Sequence, residues 1–147
     1  IATERTQLSG TAVELVETLA RVLRKDFTQV MDFLVPAVVR LCGRTNKVFV
    51  KRATRCLENS VHYTQLPEFI SHFAEALRAQ SKVMRKSAAE CVCAVLRKLS
   101  VDELTAHVAQ LETMIRTGLV DADAEVRAES RKAYEMYTKL FESRVPA

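Results

Sequence analysis

Asn46-Lys47-Val48-Phe49-Val50-Lys51-Arg52-Ala53 superimposes without a gap on Ser81-Lys82-Val83-Met84-Arg85-Lys86-Ser87-Ala88 and on Asp123-Ala124-Glu125-Val126-Arg127-Ala128-Glu129-Ser130. Each segment opens on Asn, Ser or Asp, the side chains that best accept the orphan N–H groups of a helix's first turn. Asn46, Ser81 and Asp123 therefore mark three equivalent helix starts. Downstream, apolar and small residues keep one register: Phe49, Ala53, Cys56, Leu57 and Val61; Met84, Ala88, Cys91, Val92 and Val95; Val126, Ser130, Ala133, Tyr134 and Tyr137. Spacings of three and four put such residues on one helix face.

Working outward, a second stripe ends seven residues before each anchor. It runs back from Cys42 through Val38, Val35 and Met31, from Leu77 through Phe73, Ile70 and Leu66, and from Leu119 through Ile115, Leu111 and Val108. Each repeat is thus a helix pair joined by a short loop. The anchors Phe49, Met84 and Val126 lie 35 and 42 residues apart, which brackets the period of about 40 of HEAT-type repeats. Leu8, Ala12, Leu15, Val16 and Leu19 match the second-helix stripe, so the chain is expected to begin inside an incomplete repeat. Phe27-Thr28, Gln65-Leu66-Pro67 and the capping box Ser100-Val101-Asp102-Glu103 open the three first helices. Pro36, inside the first of them, predicts a kink. The expected architecture is an all-α HEAT-repeat α-solenoid, about three helix pairs plus a leading helix, forming one domain over 1–147 that lacks its N-terminal repeats.

Composition agrees with helices: 48% of the 147 residues are apolar, with three Gly, three Pro and no Trp. No stretch approaches the roughly 18 apolar residues of a membrane span and no signal sequence opens the chain, so it reads as soluble, with no membrane partner. Cys42, Cys56, Cys91 and Cys93 form no CxxC and fall within apolar stripes, the pattern of reduced core residues. His62, His72 and His107 are dispersed, and no metal-ligand spacing or Gly-rich phosphate loop is present. The chain reads as a binding protein without cofactor or metal rather than an enzyme.

Net charge is +4, and its placement is informative. The first loop region holds Arg44, Asn46 and Lys47, followed by Lys51 and Arg52; the second holds Ser81 and Lys82, followed by Arg85 and Lys86. A lysine in a helix's first turn opposes the macrodipole and costs about 0.3–1 kcal/mol. Its recurrence at Lys47 and Lys82 points to a ridge for an acidic partner. The third loop is mixed, with Asp121, Asp123 and Glu125 before Arg127 and Arg131, a pattern that orients a protein more than it attracts bare phosphate. Tyr134, Tyr137, Phe141 and Phe49 follow the core register, so aromatic platforms for single-stranded nucleic acid are absent near the loops.

The wording of several segments carries a resemblance. Arg5-Thr6-Gln7-Leu8-Ser9-Gly10, the run Leu41 to Phe49, His62-Tyr63-Thr64-Gln65-Leu66-Pro67, and Asp121 to Arg127 with Ser130-Arg131-Lys132-Ala133-Tyr134 closely resemble the TOG domains of CLASP proteins, fungal members most of all. The resemblance implies a microtubule regulator of the cytoplasm, the mitotic spindle and the kinetochore. Such a module sets its intra-repeat loops against the tubulin heterodimer and promotes stabilisation and rescue. By position, Arg5 would belong to one tubulin-facing loop and Arg44, Asn46 and Lys47 to the next. Ser81, Lys82 and Arg85 would form a third, and Asp123, Glu125 and Arg127 a fourth. The other reading is a HEAT scaffold for another acidic protein or nucleic acid. At the leading end, Leu8, Leu15 and Leu19 are expected to form an exposed apolar strip open to self-association.

Overall fold

The computed structural model describes the backbone of residues 2–144 and the side chains from residue 9 onward. Eight α-helices follow in order among the described residues: α1 (Ala2–Leu23), α2 (Thr28–Leu41), α3 (Lys47–Thr64), α4 (Phe69–Ala76), α5 (Lys82–Lys98), α6 (Val101–Thr105), α7 (Val108–Leu119) and α8 (Ala124–Leu140). Short 3-10 turns occupy Arg24–Phe27 and Glu142–Arg144. The caps form as the sequence predicts. Asn46 accepts from the Phe49 N–H at 3.0 Å, Ser81 from Met84 at 3.2 Å, and Asp123 from Glu125 and Val126 at 3.1 and 3.2 Å. Ser100 likewise accepts from the Glu103 N–H at 3.2 Å.

The pairs stack into two layers. Helices α1, α3, α5 and α8 form the inner layer, each packed closely on the next. They run parallel, because cross-helix partners climb together: Glu14 meets Arg52 and Glu17 meets Asn59, and Thr54 and Glu58 meet Ser87 and Arg97. The outer helices α2, α4 and α7 touch each other only sparingly. The short α4 lies at the bottom of a furrow of about 930 Å³ between α2 and α7.

Between the layers lies one core, in which Phe27, Phe69, Phe73, Met31 and Ile70 are fully buried. All four cysteines are free and buried in it. Burial pushes the Cys56 thiol up to about 12 and the Cys93 thiol up to about 11, so both stay protonated and unreactive at neutral pH.

Three expectations need correction. In α1 the stripe that meets α3 is Val13, Val16 and Ala20; of the expected Ala12, Leu15, Val16 and Leu19, Val16 lies on it and the others are one residue out of step. Leu15 is 58% exposed and Ala12 is exposed, while Leu19 is half-buried against the core; the Leu8 side chain lies outside the described residues. Tyr134 is 42% exposed rather than core. Its register equivalents Leu57 and Val92 are buried because α5 and α8 cover them, whereas no described helix covers that side of α8. The third outer helix is two pieces, broken between Thr105 and Val108.

Candidate functional site

The α2–α3, α4–α5 and α7–α8 loops lie at the same end of their pairs, because the inner helices they feed run parallel. Each loop ends on a cap whose oxygen is engaged by its own helix. Asn46, Ser81 and Asp123 therefore fix where the first helical residue stands: Lys47, Lys82 and Ala124. Lys47 and Lys82 are exposed and have no hydrogen bond or ion pair among the described residues. Beside each stands an apolar residue turned outward, Val48 at 80% and Val83 at 38% exposure. An exposed Lys-Val step thus recurs at one register in successive repeats, with Val120, 79% exposed, on the third loop.

The arginines behave differently from the lysines. Arg85 donates Nε and Nη2 to the two carboxylate oxygens of Asp121, at 2.8 and 3.1 Å, and Nη1 to the carbonyls of Ala79 and Gln80 at 3.0 and 2.8 Å. Arg127 repeats the second half of that arrangement one repeat later, donating Nη1 to the carbonyls of Asp121 and Ala122 at 2.7 and 2.9 Å. Both arginines stand one residue after the anchor and reach back five and six residues to close their own loop. Arg85 also ties the second loop to the third. With side chains 16% and 9% exposed, the Arg85–Asp121 pair is largely shielded, and it is bidentate, the stronger geometry for such a pair.

In the first repeat the same position is Val50, which is buried. There the Arg44 guanidinium lies over the Phe49 ring at 5.1 Å, a cation–π contact that leaves Arg44 exposed at the edge. Glu125 receives the cap on its N–H while its carboxylate meets Lys86 at 3.3 Å. The Arg5 side chain lies outside the described residues.

Burial alone would raise the Asp121 carboxyl. The Arg85 hydrogen bonds and the Asp123 N–H, at 2.9 Å, outweigh it and hold the group below the usual aspartate range.

The sequence register located the caps and both lysines. Val48 and Val83 escaped it because they stand one residue before the anchors, off the core stripe. The hub role of Asp121 escaped it too. The available signal was an arginine recurring at one step after the anchor, with an aspartate six residues before Arg127. Among the described residues no group of His, Cys, Asp and Glu side chains could hold a metal, and no helix is long and apolar enough to cross a membrane.

Comparison with known proteins gives one consistent picture. The family model described as CLASP N terminal matches residues 1–145. The chain is 25% identical over 130 residues to CLIP-associating protein 1-B of Xenopus laevis, covering 88% of this chain and 9% of that protein. It is 24% identical over 144 residues to protein peg1 of Schizosaccharomyces pombe, covering 95% of this chain and 10% of the relative. Over 145 residues it is 22% identical to protein stu1 of Aspergillus oryzae, again covering 95% of this chain but 12% of the relative. The chain therefore spans roughly a tenth of the length of the relatives it matches.

Proposed function

The chain belongs to the CLASP N-terminal family, and on that premise we propose that it is a tubulin-binding module of a microtubule-associated protein, acting through its loop edge. The observation that carries the reading is the repeated, outward Lys-Val step at Lys47-Val48 and Lys82-Val83. Each lysine opposes a helix dipole and has no internal partner, so it costs the fold a little and is available to an acidic surface. Each valine beside it offers apolar area, which suits a protein partner better than a phosphate backbone.

Within this edge the proposed residues divide by task. Arg44, Lys47 and Lys82 meet the partner, with Arg5 assigned to the preceding loop by resemblance. Asn46, Ser81 and Asp123 hold the loops in register, and Arg85 and Arg127 brace them. Glu125, bridged to Lys86, sets the sign of the third loop and restricts the orientation in which an acidic partner can approach. A role in stabilising microtubules and in rescue at the spindle follows from the same reading. It requires the module to stay bound while a polymer end changes.

The test is microtubule co-sedimentation of Lys47→Glu/Lys82→Glu, with circular dichroism to verify the helices. Loss of binding with an unchanged helical spectrum is the expected result. Unchanged binding would overturn the proposal. A parent protein that instead prefers bare DNA, with the steep salt dependence of counterion release, would favour the nucleic-acid scaffold. Arg85 is unsuitable for reversal, because its replacement would also open the second and third loops.

A further inference from the structure

The inner helices α3, α5 and α8 each present an outward line, and only on α3 does that line begin with three exposed cations four residues apart, before it reaches the half-buried Glu58. At the equivalent register the line on α5 is Lys82, Lys86 and Glu90, and on α8 it is Ala124, Ala128 and Lys132. On α3 it is Lys47, Lys51 and Arg55, four residues apart and all exposed. Lys47 and Lys51 are without a hydrogen bond or ion pair among the described residues, and Arg55 acts electrostatically on Glu58 one turn on without pairing with it. The cations on either flank differ, since Arg52 is bound to Glu14 of α1 and Arg97 lies 3.5 Å from Glu58 of α3.

We infer that the α3 crest is a binding strip for an extended, unstructured acidic peptide segment, entered from the loop edge at Lys47. Four residues of α-helix rise about 6 Å, and two residues of an extended chain span about 6.6 Å. Every second carboxylate of a glutamate-rich strand therefore falls opposite successive cations. Glu14 and Glu58 stand beside the strip, engaged by Arg52 and Arg97. No aromatic ring stands between the three cations to stack a base. The strip names a second kind of contact for the partner proposed above. It rests on that reading only in continuing the same edge.

The experiment uses no tubulin, so the two ideas can fail separately. A fluorescently labelled oligoglutamate peptide is titrated with the parent chain, with Lys51→Ala/Arg55→Ala, and with Lys132→Ala/Lys139→Ala, which loses the same charge from α8. Binding is read by anisotropy, and circular dichroism verifies each variant. The parent and the α8 variant should bind alike, while the α3 variant weakens about tenfold, the loss expected for two charge-assisted contacts. Equal weakening of both variants would reduce the effect to net charge and overturn the strip, as would failure of the parent to bind. A single-stranded oligothymidylate bound more tightly, with the same dependence on Lys51 and Arg55, would overturn the choice of a peptide.

Discussion

Asp121 is where the second and third loops are tied together. Its carboxylate receives Arg85 on both oxygens and the Asp123 N–H, and its carbonyl receives Arg127. Replacing it with Asn keeps the shape but removes the charge that makes the Arg85 contact strong. Asp121→Asn should destabilise the chain by about 2 kcal/mol near neutral pH, the range for weakening a shielded charged pair. A carboxyl held below its ordinary value gives stability that is fully present above that value and is lost as pH falls through the lowered one. The difference between parent and variant should therefore be constant above the ordinary aspartate value of 3.8 and shrink as the solution is acidified below it. Thermal melts across that range test the link. A difference that persists into strong acid would show that the carboxylate charge is not its source.

At the scale of helices, α7 and α8 approach more closely than any side chain on Gly118 would allow. A Cβ there would stand 2.0 Å from the Ser130 hydroxyl and 2.8 Å from its Cβ, so rotating Ser130 cannot make room. Gly118→Ala must push the two helices apart and should cost about 1–3 kcal/mol, with Gly118→Ala/Ser130→Gly recovering most of it in chemical denaturation. No recovery would place the cost elsewhere. The stripes of α2 and α3 were legible in full because neighbouring helices bury their whole apolar faces. Misreadings of the apolar stripes fell on α1 and α8, each flanked by an inner helix on one side only among the described residues, and the break between Thr105 and Val108 left no mark on the stripe. α1 carries two neighbouring stripes, and its leucines drew the reading about 100° round the helix from Val13 and Ala20, with Val16 alone shared by the expected and the observed stripe. At the loop edge, the caps and lysines follow from residue type and register. The inward turn of Arg85 and Arg127 depends on where loop carbonyls point, which no hydrophobic pattern encodes.

For the whole molecule, the exposed part of α1 has an association consequence. Leu15 and Val22, at 58% and 68% exposure, stand a helical repeat apart on one side. Sedimentation should show concentration-dependent self-association that Leu15→Glu/Val22→Glu abolishes; a parent that stays monomeric at every concentration would contradict it. The unequal layers also make the stack anisotropic as an elastic body. Its inner helices are in close packing throughout, whereas α2, α4 and α7 meet sparingly around an open furrow. Flexing that widens or narrows the furrow disturbs few contacts, while flexing that parts α3 from α5 must break a closely packed seam that includes the Thr54–Ser87 hydrogen bond. The softest deformation of the array is therefore a change in curvature about its inner layer. Such bending alters the spacing of the first loop relative to the other two, which Arg85 and Asp121 clamp into one stiff block.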